Sequence, residues 1–247
     1  MKKEEYYVMM ESQDSHWWWK SRNNILKKLL TKYFKYNEDT LIADAGSGYG
    51  ANLNLLKKFG KVSALEKNQD AAEYIKKMYE NVEIIQWASP EKIDKKFDLI
   101  VFADVLEHIK DDKEAINWCY NHLKSDGFVL ITVPAHLYLW TQMDRVLHHF
   151  RRYKKKEIQY LLYNNFEIKF ISYYNFFLFP LKILFVLYDK IIFIINKNKK
   201  ESAHNNKPNL FINFILEYVV RLESIFLLKK LIPYGVSIVC LAKKISK

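Results

Sequence analysis

Cysteine is nearly absent from this 247-residue chain, with Cys119 and Cys240 its only two. Two cysteines cannot build the disulfide framework of a small secreted scaffold, and both fall inside periodic segments, one helical and one extended, so a cytoplasmic location is expected. Glycine and proline are scarce as well, at 6 and 5 residues, which excludes collagen-like, low-complexity and largely disordered chains. The first 20 residues lack the apolar stretch and cleavage site of a signal peptide. Arginine is short too, with 5 of the 39 basic residues. A net charge of +11 would suit nucleic acid or anionic lipid, but Lys, Asn and Ile are abundant together, as A/T-rich coding produces, so charge alone does not make nucleic acid the expected partner. What remains is 50% hydrophobic residues and 16% aromatic, enough to pack one α/β domain with an appendage.

After a polar and aromatic opening, Ile25, Leu26, Leu29, Leu30 and Tyr33 recur at helical spacing, so a leading helix is expected after Lys20. Strand-then-helix units follow over 41–60 and 61–81, with a third strand near 81–89. A fourth strand at 97–103 runs into a loop and a helix over 112–123, and a fifth strand follows at 128–135. This alternation predicts a mainly parallel, doubly wound sheet whose ligand site lies beyond the carboxyl ends of the strands. Residues 136–153 mix aromatic and basic side chains without a period and read as a long active-site loop. A helix over 154–165 and strands at 166–174 and 235–244 complete seven strands. The expected organisation is an N-terminal aromatic lid and helix at 1–39, an α/β core at 40–173, a helical insertion at 174–233 and a final core strand at 234–247. Within the insertion, residues 175–196 are very apolar but interrupted by Pro180, Lys182, Asp189 and Lys190, unlike the ~20 mostly apolar residues of a spanning helix. They read as part of a buried or interfacial helical pair, followed by a polar linker over 197–209.

Asp44, Gly46, Ser47, Gly48 and Gly50 stand where the first strand meets the first helix, a geometry that lets backbone NH groups approach a ligand. Glu66 ends the second strand 20 residues after Gly46, where an acid accepts hydrogen bonds from ribose hydroxyls. Together they indicate an adenosine-type ligand. The glycine spacing is G-x-G-x-G, not the G-x-G-x-x-G of dinucleotide sites, and no Walker lysine is present.

With Asp44 two residues ahead of Gly46, the loop resembles motif I, D/E-x-G-x-G-x-G, of the class I S-adenosylmethionine-dependent methyltransferases. Residues 97–109 and 123–134 resemble that family's fourth strand with its loop, and its fifth strand. The resemblance implies a Rossmann-like seven-stranded sheet with S-adenosylmethionine as cofactor. It also implies ribose contacts from Glu66, a methionine-end contact from Asp104, and adenine contacts near Ala88 and Ser89, where the adenine-binding Asp of many members is missing. Trp87 is a candidate to stack on adenine beside its ordinary reading as core packing.

For the acceptor, His108 and His136 are the candidate general bases, with Glu107 and His108 alternatively opening the next helix. Asp104-x-x-Glu107-His108 is similar to the E-x-x-E-H metal site of ubiquinone O-methyltransferases and small-RNA end methyltransferases, which implies a metal alternative with His136 as fourth ligand. Asp104 in place of Glu leaves no metal in the assignment. Residues 16–22 and 148–153 resemble segments of uncharacterised bacterial methyltransferases. The first suggests an aromatic lid with Arg22 at the cofactor carboxylate. The second, His148, His149, Arg151, Arg152 and Tyr153, suggests an acceptor site suited to carboxylate or phosphate.

The expected function is methyl transfer to a small-molecule, sugar or lipid-linked oxygen or nitrogen. An RNA methyltransferase and a catalytically silent cofactor-binding protein are the alternatives, the former lacking an RNA-binding module or an Asn/Asp-Pro-Pro-Tyr tetrapeptide. The insertion, with Lys197, Lys199 and Lys200 alongside, suits peripheral contact with the inner face of the membrane, burial over the sheet, a dimer interface or the wall of an apolar acceptor pocket, with monomer and homodimer both open.

Overall fold

In the computed structural model, residues 10, 12–13, 15–89, 91–195, 209–229 and 231–245 are described. Seven strands form one sheet: β1 Leu41–Ala45, β2 Lys61–Glu66, β3 Val82–Gln86, β4 Phe97–Ala103, β5 Leu123–Pro134, β6 Phe166–Tyr174 and β7 Ser237–Lys244. Their order is β3-β2-β1-β4-β5-β7-β6, with β1 to β5 parallel and β7 antiparallel to both neighbours. β1 and β4 are almost wholly buried, as expected of central parallel strands covered on both faces. At edge strand β3 burial is incomplete. The chain reverses direction of strand addition between β1 and β4, and such a switch point opens a crevice at the carboxyl ends of the strands.

The helices are α1 Trp17–Tyr33, α2 Leu53–Leu56, α3 Gln69–Met78, α4 Asp112–His122, α5 Gln142–Val146, α6 Lys155–Leu162, α7 Phe179–Ile195 and α8 Leu210–Leu228. Their starts follow from local chemistry. Asn68 and Asp111 cap α3 and α4 by accepting from Ala71 N and Glu114 N, at 3.0 and 2.9 Å, satisfying amides that no helical carbonyl can reach. Ile25, Leu26, Leu29 and Leu30 all lie in the core, placing α1 against the sheet.

Three details differ from the expectation. α1 starts at Trp17, capped by the His16 ring at 3.1 Å from Trp18 N, so the tryptophans belong to a docked helix; Trp19 is buried. The 136–153 segment is not all loop, since it holds a 3-10 turn at Leu137–Leu139 and helix α5. β5 begins at Leu123, five residues ahead of the strand expected at 128–135. Both cysteines are buried and free, Cys119 in α4 and Cys240 in β7. The linker expected at 197–209 lies almost entirely outside the described residues.

The insertion hangs between paired strands. Tyr174 at the end of β6 is directly opposite Ser237 at the start of β7, so residues 175–236 occupy the place of a hairpin turn. α8 packs against α1 and β6, and α7 against the turn at Leu137–Leu139. Of this pair, expected to be buried or interfacial, α7 has Val186 as its one buried residue, while α8 buries Asn213, Val220, Glu223, Ser224 and Leu227. No described helix is long and apolar enough to cross a membrane.

Candidate active site

The glycine loop leaves β1 with Gly46, Gly48 and Gly50 at φ 71°, 55° and 89°, a region costly for residues with a Cβ. A Cβ on Gly46 would stand 2.9 Å from both methyls of Val105, so the loop after β4 lies directly against this turn. Around Gly48 the situation is opposite, because a Cβ there would meet nothing within 4 Å. The backbone has left an open cradle at the middle glycine, bordered by the Glu66 carboxylate. Glu66 accepts from Gly48 N and Asn68 N, each at 2.8 Å, and every carboxylate oxygen keeps further lone pairs for hydroxyl donors.

A polar network ties the strand ends beneath this cradle. Thr132 donates to Asp104 Oδ1 at 2.9 Å and Arg22 to Asp104 Oδ2 at 2.7 Å. Arg22 also donates to Asn52 Oδ1 at 2.9 Å, and Asn52 to Asp44 Oδ1 at 3.1 Å. Thus β5, the residue after β4, α1 and β1 are cross-linked by side chains. Burial pushes the Asp44 carboxyl up to about 7, although the Asn52 hydrogen bond opposes it. Asp104 holds φ 59°, a strained value for an acid at the tip of β4. Ser47 closes the turn by donating to Asp44 O at 2.6 Å. Arg22 was expected at a cofactor carboxylate, but its terminal nitrogens are committed to Asp104, Asn52 and Ala103 O, which leaves it only the buried Nε without a partner.

After β3, Trp87 is core: its ring centroid is 4.5 Å from that of Trp118 and its Nε1 donates to Glu91 O at 2.9 Å, so it does not stack on a ligand. Ala88 N donates to the Glu91 carboxylate at 3.1 Å, while the buried Ser89 Oγ has no partner among the described residues.

Beyond Asp104 the loop after β4 meets the 148–153 segment. The His108 and His149 rings are edge to face with centroids 4.6 Å apart, and ligand atoms of Glu107, His108 and His149 all lie within 4.8 Å of one another. Burial raises the Glu107 pKa well above the carboxylate range, Asp104 adds to the rise, and Glu107 Oε2 is buried without a partner. Crowding by protein lowers the His108 pKa, and His149 lowers it further, so the imidazole is neutral near pH 7. His149 Nδ1 is 2.9 Å from Asp144 Oδ1. Burial alone would raise the Asp144 pKa, yet His149 and Arg152 outweigh it and hold this carboxyl well below its ordinary range. Such a group of one carboxylate and two imidazoles can take up a proton or a divalent cation. It is not the expected metal set, since Asp104 is held by Arg22 and Thr132.

His136 is elsewhere, buried at φ 57° between the rings of Tyr138 and Tyr173, each 5.0 Å away, with Tyr234 and Phe179 adjoining. Burial and then Arg152 lower its pKa, and its Nε2 has no partner among the described residues.

The basic residues expected to meet an anionic acceptor are used inside the protein. Arg152 forms a fork with Asp144 at 2.8 and 3.1 Å and donates to Ala135 O at 3.0 Å. Arg151 pairs with Asp112 at 2.6 Å, and the buried Tyr153 hydroxyl donates to Asp112 at 2.9 Å. The physical reason is that a guanidinium packed beside a carboxylate this close is already neutralised. His148 is exposed at φ 55°. Sequence reasoning missed Asn52, Thr132 and Asp144. For Asp144 a signal existed, as Thr141-x-x-Asp144 is a capping box in which Asp144 accepts from Thr141 N at 2.8 Å.

A parallel sheet with one antiparallel strand, a glycine cradle at its switch point and an acid after β2 define a Rossmann-like methyltransferase class. The family model described as "Methyltransferase domain" matches residues 18–175, and the chain belongs to that family. Its fold is that of class I S-adenosylmethionine-dependent methyltransferases. A probable S-adenosylmethionine-dependent methyltransferase of Mycobacterium tuberculosis is 29% identical over 98 residues, covering 39% of this chain and 35% of the relative. One of Mycolicibacterium smegmatis is 27% identical over 128 residues, covering 50% and 49%. The matches thus span half or less of these curated relatives. Among solved structures, coclaurine N-methyltransferase bound to N-methylheliamine and SAH has a TM-score of 0.58 at 14% identity, covering 89% of this chain and 70% of that one. A SAM-dependent methyltransferase from Archaeoglobus fulgidus has a TM-score of 0.53 at 14% identity, covering 90% and 94%.

Proposed function

We propose that the chain transfers a methyl group from S-adenosylmethionine to a small-molecule, sugar or lipid-linked acceptor, at oxygen or nitrogen. The observation that carries this reading is the open space over Gly48 beside the Glu66 carboxylate. A bound sulfonium donor supplies an electrophilic methyl carbon for in-line displacement by the acceptor atom. The chain's own residues do the rest. Glu66 holds the ribose end beside the open turn at Gly48, with Ser89 Oγ and the backbone at Ala88 toward adenine. Asp104, fixed by Thr132 and Arg22, faces the methionine amino group, so Arg22 acts as a positioning residue.

Where the acceptor must lose a proton, His108 takes it, because its lowered pKa keeps it neutral. His149, oriented by Asp144, is next to it to receive or share that proton. The aromatic group around His136 forms an apolar wall for the acceptor.

Calorimetry tests the reading: S-adenosylmethionine and its demethylated product should bind, and NAD should not. Gly48→Val should remove binding by at least about tenfold, because its side chain fills the cradle. Tight binding by that variant would overturn the assignment. Acceptor screening then separates a methylated metabolite from methylated RNA or no product.

A further inference from the structure

Helices α7 and α8 are built inside out. In a helix on a water-bathed domain the apolar stripe faces the core and the polar residues face solvent. In α7, residues 182, 186 and 189 turn toward the protein. Asp189 accepts from Gln142 N at 3.0 Å, Val186 is buried, and the Arg145 guanidinium lies 4.6 Å over the Phe193 ring. Lys182 is set among the charges of Arg152, Asp144 and Asp189. The opposite face carries Leu184, Leu187, Tyr188, Ile191 and Ile194, exposed by 63, 53, 61, 55 and 68%.

α8 repeats the inversion. Three of its five buried residues are polar, beside Val220 and Leu227: Asn213 bonds Trp17 N and Ser15 O at 2.8 and 2.9 Å, Glu223 accepts from Phe177 N at 3.0 Å, and Ser224 accepts from Lys28. Outward stand Phe211, Phe214, Tyr218 and Ile225, exposed by 73, 65, 53 and 52%. An apolar surface of this extent on two helices marks an interaction site rather than scattered exposure.

We infer that this face docks on a lipid bilayer bearing anionic headgroups, lying in the interface without crossing it. Charge decides the occupant. Every acid of the two helices is engaged within the protein: Asp189 by Gln142, Glu217 by Lys20 and Glu223 by Phe177. The exposed cations Lys190 of α7, Arg221 of α8 and Lys229 just after it are left to the outside. Apolar side chains with a cationic rim suit acyl chains beneath acidic headgroups. A second copy would bring together two such rims on chains of net charge +11, which repel. The inference rests on the surface alone and not on methyl transfer.

The test is flotation of the full chain with vesicles of equal parts phosphatidylcholine and phosphatidylglycerol. The wild type should float at low salt, and Leu184→Glu/Ile191→Glu and Phe214→Glu/Ile225→Glu should bind at least about tenfold more weakly while keeping the wild-type melting midpoint by circular dichroism. Wild-type protein left in the lipid-free fraction overturns the inference. So does flotation that survives in both variants, since another surface would then carry it. A dimer in light scattering that the same substitutions dissociate, without flotation, assigns the face to a second copy instead.

Discussion

Asp44 is sealed beneath the glycine loop, and burial has moved its pKa from 3.8 up to about 7. Between those two values the folded chain keeps a proton that the unfolded chain has lost. Its contribution is therefore fully present below about pH 3.8 and is lost as pH rises toward 7. Glu107 acts in the same direction. His108 acts in the other, since its depressed pKa gives the unfolded chain more protons and lets stability rise with pH. The informative measurement is thus a comparison: denaturant-unfolding stability of the wild type should fall more steeply from about pH 4 to 7 than that of Asp44→Asn. Parallel curves would show that this carboxyl does not titrate in the folded chain over that range. At the acceptor side, His108→Gln and His149→Gln should lower kcat by roughly 10²–10⁴-fold for a hydroxyl acceptor while cofactor affinity holds. Unchanged kcat in both would leave these rings with packing roles. Full activity after exhaustive chelation would show that the triplet with Glu107 works through protons and not through a cation.

Among the elements, the stretch from β5 to α6 depends on one carboxylate. Asp144 accepts from Thr141 N, His149 and both ends of the Arg152 fork, and is fully buried. Removing one partner of such a buried group strands the others, so Asp144→Ala should cost about 3–5 kcal/mol, read by denaturant unfolding. Arg152→Gln should then do harm through stability more than through acceptor KM. A variant of Asp144 as stable as wild type would show that the fork is replaceable by water. This part of the site was hard to read from sequence for a clear reason. Arginines after an aromatic loop announce positive charge, but the acids that neutralise them stand elsewhere in the chain, Asp112 for Arg151 and Asp144 for Arg152, the latter meeting its partner only after α5 turns the chain. The glycine loop and Glu66 were legible because their neighbours are close in sequence or lie on adjacent parallel strands.

At the scale of the molecule, the strands were readable where they are short, apolar and bounded by turn residues, as in β1, β2 and β4, and strand β7 declared itself by its run from Ser237 to Ala242. The orientation of α7 and α8 was not. When nearly every position of a helix is apolar, periodicity cannot say which side is inner, and Lys182 and Asp189 look like interruptions of burial although they are its anchors. The place where these helices leave the sheet has a consequence for how such a chain can vary. Tyr174 and Ser237 face each other whatever lies between them, so the join resembles a socket whose two contacts stay fixed. The entropy of closing a loop grows only with the logarithm of its length, so a longer, shorter or differently surfaced segment can occupy this socket at little cost to folding. What this chain presents between those two residues can therefore be exchanged as one plug-in stretch, leaving the register of β6 and β7 untouched.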